Sequence, residues 1–435
     1  MLGKEWQCSI YTALLNFKMY KLRIEYKGSI LFDYNNGQYY YLDKYTTDLL
    51  LEIVRAGKSF DGEVPRQFYE LNLIDKETNA FNGKIYYSTN YKENRLISPP
   101  IVFLQITDQC NLRCKHCFTQ KHYNKNRKNL STSELIKLLN ELECLGVCEV
   151  IIGGGEPLLR KDLFDIINYC NELHIRPSFT TNGTLVNNEI LCQLKKIKVG
   201  YIKVSLDGPK EIHEEIREKG TFDLAIEGIK KIVDIGIDVG IRTVLTSLNL
   251  NDIEQLINIA EQIKCKSITF STLRPSGMAA ETPELLNNLN KENYRKALDK
   301  IIMLKEKHQI NISISEDAPY IQGVSKDNGV YEELLPQFGC PAKGSVCEID
   351  AYGNVSPCGF LKGLLGEKMI GGNIRDDDFI DIWNKSAPFE VLRDLKFPNK
   401  CKKCTKYCSC FGGCRTRAYF AHNQFDSPDY LCPYN

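Results

Sequence analysis

"IVFLQITDQCNLRCKHCFTQ", residues 101–120, joins a strand-like apolar run to a loop carrying Cys110, Cys114 and Cys117. The loop raises a counting problem. Structural zinc takes four ligands and a disulfide takes two cysteines, but this loop offers three. Three thiolates on a four-iron cluster leave one iron open to an outside ligand. From residue 101 onward, strand, loop and helix repeat. "CEVII" at 148–152, "RPSFT" at 176–180, "YIKVS" at 201–205, "VGIRTVL" at 239–245 and "SITFSTL" at 267–273 read as further strands. Between them lie helical patterns, the first opened by a capping box of Ser131 with Glu134. Six such βα units predict a parallel sheet closing into a partial barrel, with its sites at the C-terminal strand ends.

Those strand ends carry polar and glycine-rich motifs. The three-cysteine loop follows the first strand, and "GGGEP" (Gly153–Pro157) follows the second. Glycines there let backbone approach a ligand closely, and Glu156 offers a carboxylate to an ammonium group. "TTNG" ends the third strand with Thr181 and Asn182, and "SLDG" ends the fourth with Ser205 and Asp207. One such motif is an ordinary βα turn. Several in register with a three-thiolate loop mark a site.

The rest of the chain sets bounds. The formal net charge of +1 gives no bulk electrostatic argument for nucleic acid or for an anionic membrane. No run of eighteen apolar residues is present to span a bilayer. Eighteen cysteines in a long, lysine-rich chain without an export signal point to a reducing cytoplasm and to thiols kept for metal. Cys8, Cys144, Cys148, Cys170, Cys192 and Cys265 stand singly in apolar patterns and read as small buried hydrophobes. Residues 18–45 alternate apolar and polar around an Asn-Gly turn, which predicts a hairpin. A helix follows, with Thr46 or Thr47 as its expected N-cap and Gly57 past its end. We divide the chain into 1–95, a barrel at 96–305, a bridge at 306–339 and a cysteine-built domain at 340–435.

The combination of C-x3-C-x2-C after the first strand with "GGE" after the second resembles the radical S-adenosylmethionine superfamily. The resemblance implies an α/β partial (β/α)6 TIM barrel in which Cys110, Cys114 and Cys117 ligate a [4Fe-4S] cluster. S-adenosylmethionine would occupy the open iron, held at its amino end by Gly154, Gly155 and Glu156. His116 takes the place of the ring that packs on adenine, Thr181 and Asn182 add hydrogen-bonding groups, Ser205 and Asp207 are candidates for the ribose or carboxylate, and Arg242 is another candidate for the carboxylate. The C-terminal cysteines resemble a SPASM domain with two auxiliary [4Fe-4S] clusters, three in all. By family pattern Cys340, Cys347, Cys358 and Cys414 hold one, and Cys401, Cys404, Cys410 and Cys432 the other. Cys408 is spare, or stands in for Cys410. A zinc module is the plain alternative, since C-x2-C is a common zinc half-site.

The N-terminal segment resembles the winged-helix-like β+α element that recognises leader peptides in peptide-maturation systems. Together the parts imply a maturase that binds a ribosomally made precursor peptide, takes electrons from a flavodoxin or ferredoxin, and forms an intramolecular crosslink. A carbon–carbon bond of the lysine–tryptophan (streptide) type is preferred, because eight matched cysteines imply fully ligated auxiliary clusters. Glu316 and Asp317 are the nearest acidic pair for a catalytic base. The alternatives are a thioether synthase, a sulfatase-maturating type of protein modifier, and a non-enzymatic iron–sulfur or zinc protein.

Overall fold

The computed structural model describes residues 19–88, 95–119, 127–315, 340–396, 399–404, 410, 412–432 and 434. The chain divides into two compact units, 1–97 and 98–435.

The first unit is a four-stranded sheet with helices. Strands β1 (Tyr20–Glu25), β2 (Gly28–Asp33), β3 (Gln38–Asp43) and β4 (Gly83–Tyr86) lie in the order β3-β2-β1-β4. The hairpin expected at the Asn-Gly turn is β2–β3, with Asp33 opposite Gln38. Tyr20, Leu22 and Leu31 on one sheet face pack against Leu50, Leu51 and Ile53 of the helix Lys44–Ala56. That helix begins earlier than Thr46: its N-cap is Asp43, whose carboxylate accepts the Thr46 N–H. A carboxylate caps better than a β-branched hydroxyl, which explains the shift. Gly57 closes the helix at φ 55°, as expected. The other face of β1 is polar and also buried, with Lys21, Arg23 and Glu25 at 1%, 0% and 7% exposure.

The second unit is built on a ten-stranded sheet. Seven parallel strands run β5 (Ile101–Thr107), β6 (Glu149–Gly154), β7 (Arg176–Thr181), β8 (Ile202–Ser205), β9 (Val239–Leu245), β10 (Ser267–Thr272) and β11 (Asn311–Ile314). Val102, Leu104, Ile106, Val150 and Ile152 alternate onto the face covered by helices such as Thr132–Cys144 and Leu163–Glu172. Phe103, Gln105 and Thr107 alternate onto the other face, the inside of the partial barrel. The six expected strands are present, and β11 adds a seventh inside the segment read as a bridge. The alternation of Ile310, Ile312 and Ile314 with Asn311 and Ser313 carries a period-2 signal, which the reading of this segment as a bridge passed over.

At the opposite sheet edge, β12 (Val346–Ile349) pairs in parallel with β5, and β13 (Asn354–Ser356) and β14 (Gly372–Asn373) follow antiparallel. The cysteine-rich segment thus begins as a continuation of the barrel sheet. Among the single cysteines, Cys148, Cys170 and Cys265 are buried as expected, whereas Cys144 and Cys192 are exposed. Cys8 lies outside the described residues. No helix among the described residues is long and apolar enough to cross a membrane.

Candidate functional site

The cysteine loop is fixed from three sides. The first is the end of β6. Gly155 N–H donates to Thr107 O and Glu156 N–H to Gln109 O, both at 2.7 Å. A Cβ at Gly154 would lie 2.2 Å from Thr107 O, and one at Gly155 would lie 2.0 Å from Gln109 O. The glycines are therefore required by close backbone approach, with Gly154 also at φ 138°. Gly153 faces open space.

The second side is β7. Glu156 is 1% exposed, and its carboxylate accepts from Thr181 Oγ1 (2.6 Å), Asn182 N–H (2.8 Å) and Leu158 N–H (3.1 Å). Asn182 Nδ2 reaches Asn111 Oδ1 inside the cysteine loop at 2.9 Å. Thr181 and Asn182 thus tie strand ends to the loop. Burial raises the Glu156 carboxyl, and these three donors oppose it.

The third side is one that sequence reasoning missed. The helix Lys210–Ile216 ends against the loop: Lys115 N–H donates to Ile216 O (2.9 Å) and Arg113 N–H to Glu218 Oε1 (2.7 Å). Between them Arg217 turns inward, its side chain 9% exposed. Nε donates to Asp207 Oδ2 at 2.6 Å, Nη1 to Cys114 Sγ at 3.7 Å, and Nη2 lies 3.5 Å from His116 Nε2. In the sequence "EIHEEIREKG" this arginine reads as one charge on an amphipathic helix end. Only the adjacent "SLDG" hints that it has a buried partner.

This network corrects two expectations. Asp207 is fully enclosed and already engaged by Arg217, by His116 Nε2 at 3.1 Å and by Val244 N–H at 2.8 Å. No face of it remains for a ribose. His116 is 7% exposed and held edge-on to that carboxylate, not laid open as a stacking ring, and its Nδ1 is buried without a partner among the described residues. Ser205 and Arg242 stand opposite one another on β8 and β9, half-buried, and neither side chain is hydrogen-bonded or ion-paired among the described residues. Arg242 alternates with core residue Ile241, so it lies on the inner face. Of the carboxylate candidates, these two are unspent.

The three thiols fit a cluster. Cys110 and Cys117 both act on Cys114, whose thiol burial pushes up to about 12 against the pull of Arg217. Burial also raises Cys110, and Glu156 adds to it. Metal ligation, which removes the proton, is the way such buried thiols become thiolates.

Among the described residues of the C-terminal segment, seven cysteines fall into a three and a four. Cys340 and Cys414 both raise the Cys358 thiol, which burial first pushes up, to about 12 in all. Cys410 is raised by burial and then by Cys432 and Cys401, and Cys432 by burial and then by Cys401 and Cys404. Cys347 joins neither group. It packs in the barrel core with Ile349 and Val355, and its charged neighbours are Glu348 and Arg393. On its strand Cys347 shares a face with Ile349. Asp429 links the two groups, accepting Cys414 N–H at Oδ2 (2.9 Å) and Cys432 N–H at its backbone oxygen (3.0 Å). Among the described residues no three Cys, His, Asp or Glu side chains converge as a single ion requires; a four-iron cluster instead meets each cysteine at its own iron. Cys408, Glu316 and Asp317 lie outside the described residues.

Comparison with known proteins agrees with this geometry. Residues 104–260 match the Radical SAM superfamily, and residues 340–405 match SPASM, an iron-sulfur cluster-binding domain. Mycofactocin maturase MftC of Mycolicibacterium smegmatis is 28% identical over 343 residues, 78% of this chain and 84% of that protein. The AdoMet-dependent heme synthase of Oleidesulfovibrio alaskensis is 28% identical over 348 residues, 77% of this chain and 87% of that protein. Among solved structures, Streptococcus suis SuiB bound to precursor peptide SuiA superimposes with a TM-score of 0.73 at 21% identity. That likeness covers 94% of this chain and 97% of SuiB. The chain thus carries a segment similar to the Radical SAM superfamily followed by a segment similar to SPASM, in the same order as the motifs of its barrel and its C-terminal cysteines.

Proposed function

We propose that this radical SAM enzyme matures a ribosomally made precursor peptide by forming one crosslink within it, preferably carbon–carbon and of the lysine–tryptophan type. The supporting observation is the union of an N-terminal β-sheet unit with a three-thiol barrel and a SPASM segment. That architecture extends over 94% of the chain onto SuiB, which was solved with its precursor peptide. Among the described residues of the first unit, β3 pairs only with β2, so its outer edge offers main-chain groups to an extended peptide.

S-adenosylmethionine on a reduced cluster at Cys110, Cys114 and Cys117 supplies a carbon radical able to take hydrogen from an unactivated carbon. The chain's own residues hold and aim. Gly154, Gly155 and Glu156 border the seat of the methionine amino end. Ser205 and Arg242 are assigned its carboxylate. Glu316 or Asp317 is assigned proton removal after bond formation. The C-terminal three and four cysteines would hold two auxiliary clusters, which would supply an acceptor for the second electron, and a flavodoxin or ferredoxin in the cytoplasm would supply the first.

One observation favours a thioether instead. With Cys347 in the core, Cys340, Cys358 and Cys414 supply three thiolates, and a four-iron cluster there keeps one iron for an outside sulfur. Incubating the enzyme anaerobically with a candidate precursor peptide, sought among short reading frames beside its gene, decides between the products. Either crosslink makes the peptide two hydrogens lighter. Iodoacetamide then labels every cysteine of a carbon–carbon product and one fewer of a thioether. Unchanged peptide mass, with 5′-deoxyadenosine still released, overturns the maturase reading. Full conversion by an enzyme lacking residues 1–95 overturns the assignment of leader binding to that segment.

A further inference from the structure

We propose that Arg217 is a positioning residue for the barrel cluster: through its N–H bond to the Cys114 sulfur and its fixed charge it raises the cluster's reduction potential, and Asp207 limits how much of that charge the sulfur feels. The inference rests on the three-thiol cluster site and is independent of which peptide, or which bond, the enzyme handles.

The geometry is specific. Arg217 is separated from Cys114 by 103 residues, yet its guanidinium is the group that touches the sulfur. Backbone bonds on both sides, Lys115 N–H to Ile216 O and Arg113 N–H to Glu218 Oε1, lock the helix end to the loop, so the contact does not depend on one flexible side chain. Asp207 is held still in turn. Val244 N–H donates to Oδ1, while Asp207's own backbone oxygen accepts from Asn249 Nδ2 at 2.7 Å and its N–H donates to His213 Nδ1 at 3.2 Å. The site is enclosed, with Asp207 at 0% and Cys114 at 8% exposure, so charges act across it with little screening.

Reduction adds one electron, drawn from a low-potential flavodoxin, ferredoxin or dithionite, to the oxidised cluster. No bond breaks, and the added negative charge spreads over iron, sulfide and cysteine sulfur. An N–H donor and a cation at one of those sulfurs favour the reduced form more than the oxidised one. Asp207, bound to the opposite side of the same guanidinium, works the other way. Arginine suits this role because its fork reaches carboxylate and sulfur at once and its charge is permanent.

The test is an anaerobic potentiometric titration of reconstituted enzyme, read at the electron-spin-resonance signal that S-adenosylmethionine perturbs. Arg217→Met should lower the reduced-to-oxidised ratio at a fixed potential about tenfold, equivalent to about 59 mV for one electron. Asp207→Asn should move it the opposite way, and Arg217→Lys, which keeps the charge but not the fork, should fall between Met and wild type. If Arg217→Met fails to hold its iron, the opposite signs of the Lys and Asn variants still decide the matter. Shifts of Arg217→Lys and Asp207→Asn in the same direction, or ratios within twofold of wild type, overturn the proposal and leave Arg217 as a structural dock for the loop.

Discussion

Glu25 and Asp207 are both buried carboxylates facing an arginine, one in the N-terminal sheet and one at the barrel mouth, yet they settle in opposite states. Glu25 meets Arg23 Nη2 at 3.0 Å and Ile97 N–H at 2.9 Å, but burial prevails and pushes its carboxyl up to about 7. At Asp207 burial also acts to raise the carboxyl, but Arg217 at 2.6 Å and then His116 overcome it and hold it well below the usual carboxylate range. Burial alone therefore does not fix charge; the number and closeness of charged donors does. The barrel mouth invests in a permanent ion pair beside its thiols. The sheet keeps a carboxyl that gains and loses a proton near neutrality.

The largest expected effect comes from breaking the tighter pair. Asp207→Ala removes the charge and, unlike Asp207→Asn, every side-chain acceptor for Arg217 and Val244 N–H, a kind of loss that costs about 3–5 kcal/mol. We expect the variant to lose barrel-cluster iron and release of 5′-deoxyadenosine, while iron bound at the C-terminal cysteines stays. Iron analysis and a product assay, run side by side, check this. Full iron and normal release would show that Asp207 is no anchor, and the contrast with Glu25 would lose its functional half.

How much of this was legible follows from what a sequence displays. Repeating strands and the Cys110 loop were readable because period-2 apolar runs and cysteine spacing are local. Gly154 and Gly155 were read as letting backbone approach a ligand, whereas the structure shows them letting it approach Thr107 and Gln109 at the start of the cysteine loop. Arg217 was not, because its partners Asp207 and Cys114 lie 10 and 103 residues away and a charged helix end looks the same whether buried or solvated. Asp207 and His116 were found as site residues but assigned to a ligand, when each is spent on the other. That Cys347 shares a face with Ile349 was not read, because spacing counts residues without recording the strand face, although its alternation with Glu348 held that information.

An effect of intermediate size separates two buried thiols as sharply as the two carboxylates. Cys358 sits with Cys340 and Cys414, and Cys347 sits in the barrel core. With each four-iron cluster contributing about a third of roughly twelve irons, Cys358→Ser should cost up to a third of the iron. Cys347→Ser should keep all of it and lose only a little thermal stability. Equal iron loss in both would return Cys347 to the ligand set and remove the argument for an open iron.

The smallest effect lies at Glu25, and its sign follows from linkage. Its folded-state pKa of about 7 stands above the ordinary 4.5, so the folded sheet keeps a proton that the unfolded chain gives up. Stability from this group is complete below about pH 4.5, falls as pH rises towards 7, and is flat above. At its steepest the slope is about 1.4 kcal/mol per pH unit, a tenfold change in the opening equilibrium. Amide hydrogen exchange over β1 and β2, measured on the whole enzyme and corrected for intrinsic pH dependence, should therefore speed up by as much as tenfold per unit between pH 5 and 7. Glu25→Gln has no proton to lose there and should flatten that dependence while leaving exchange around the cysteine loop untouched. Asp207, charged throughout, should give its strand end no such slope. If wild type and Glu25→Gln run parallel across that range, Glu25 is ionised like Asp207, and Arg23 compensates burial as fully as Arg217 does.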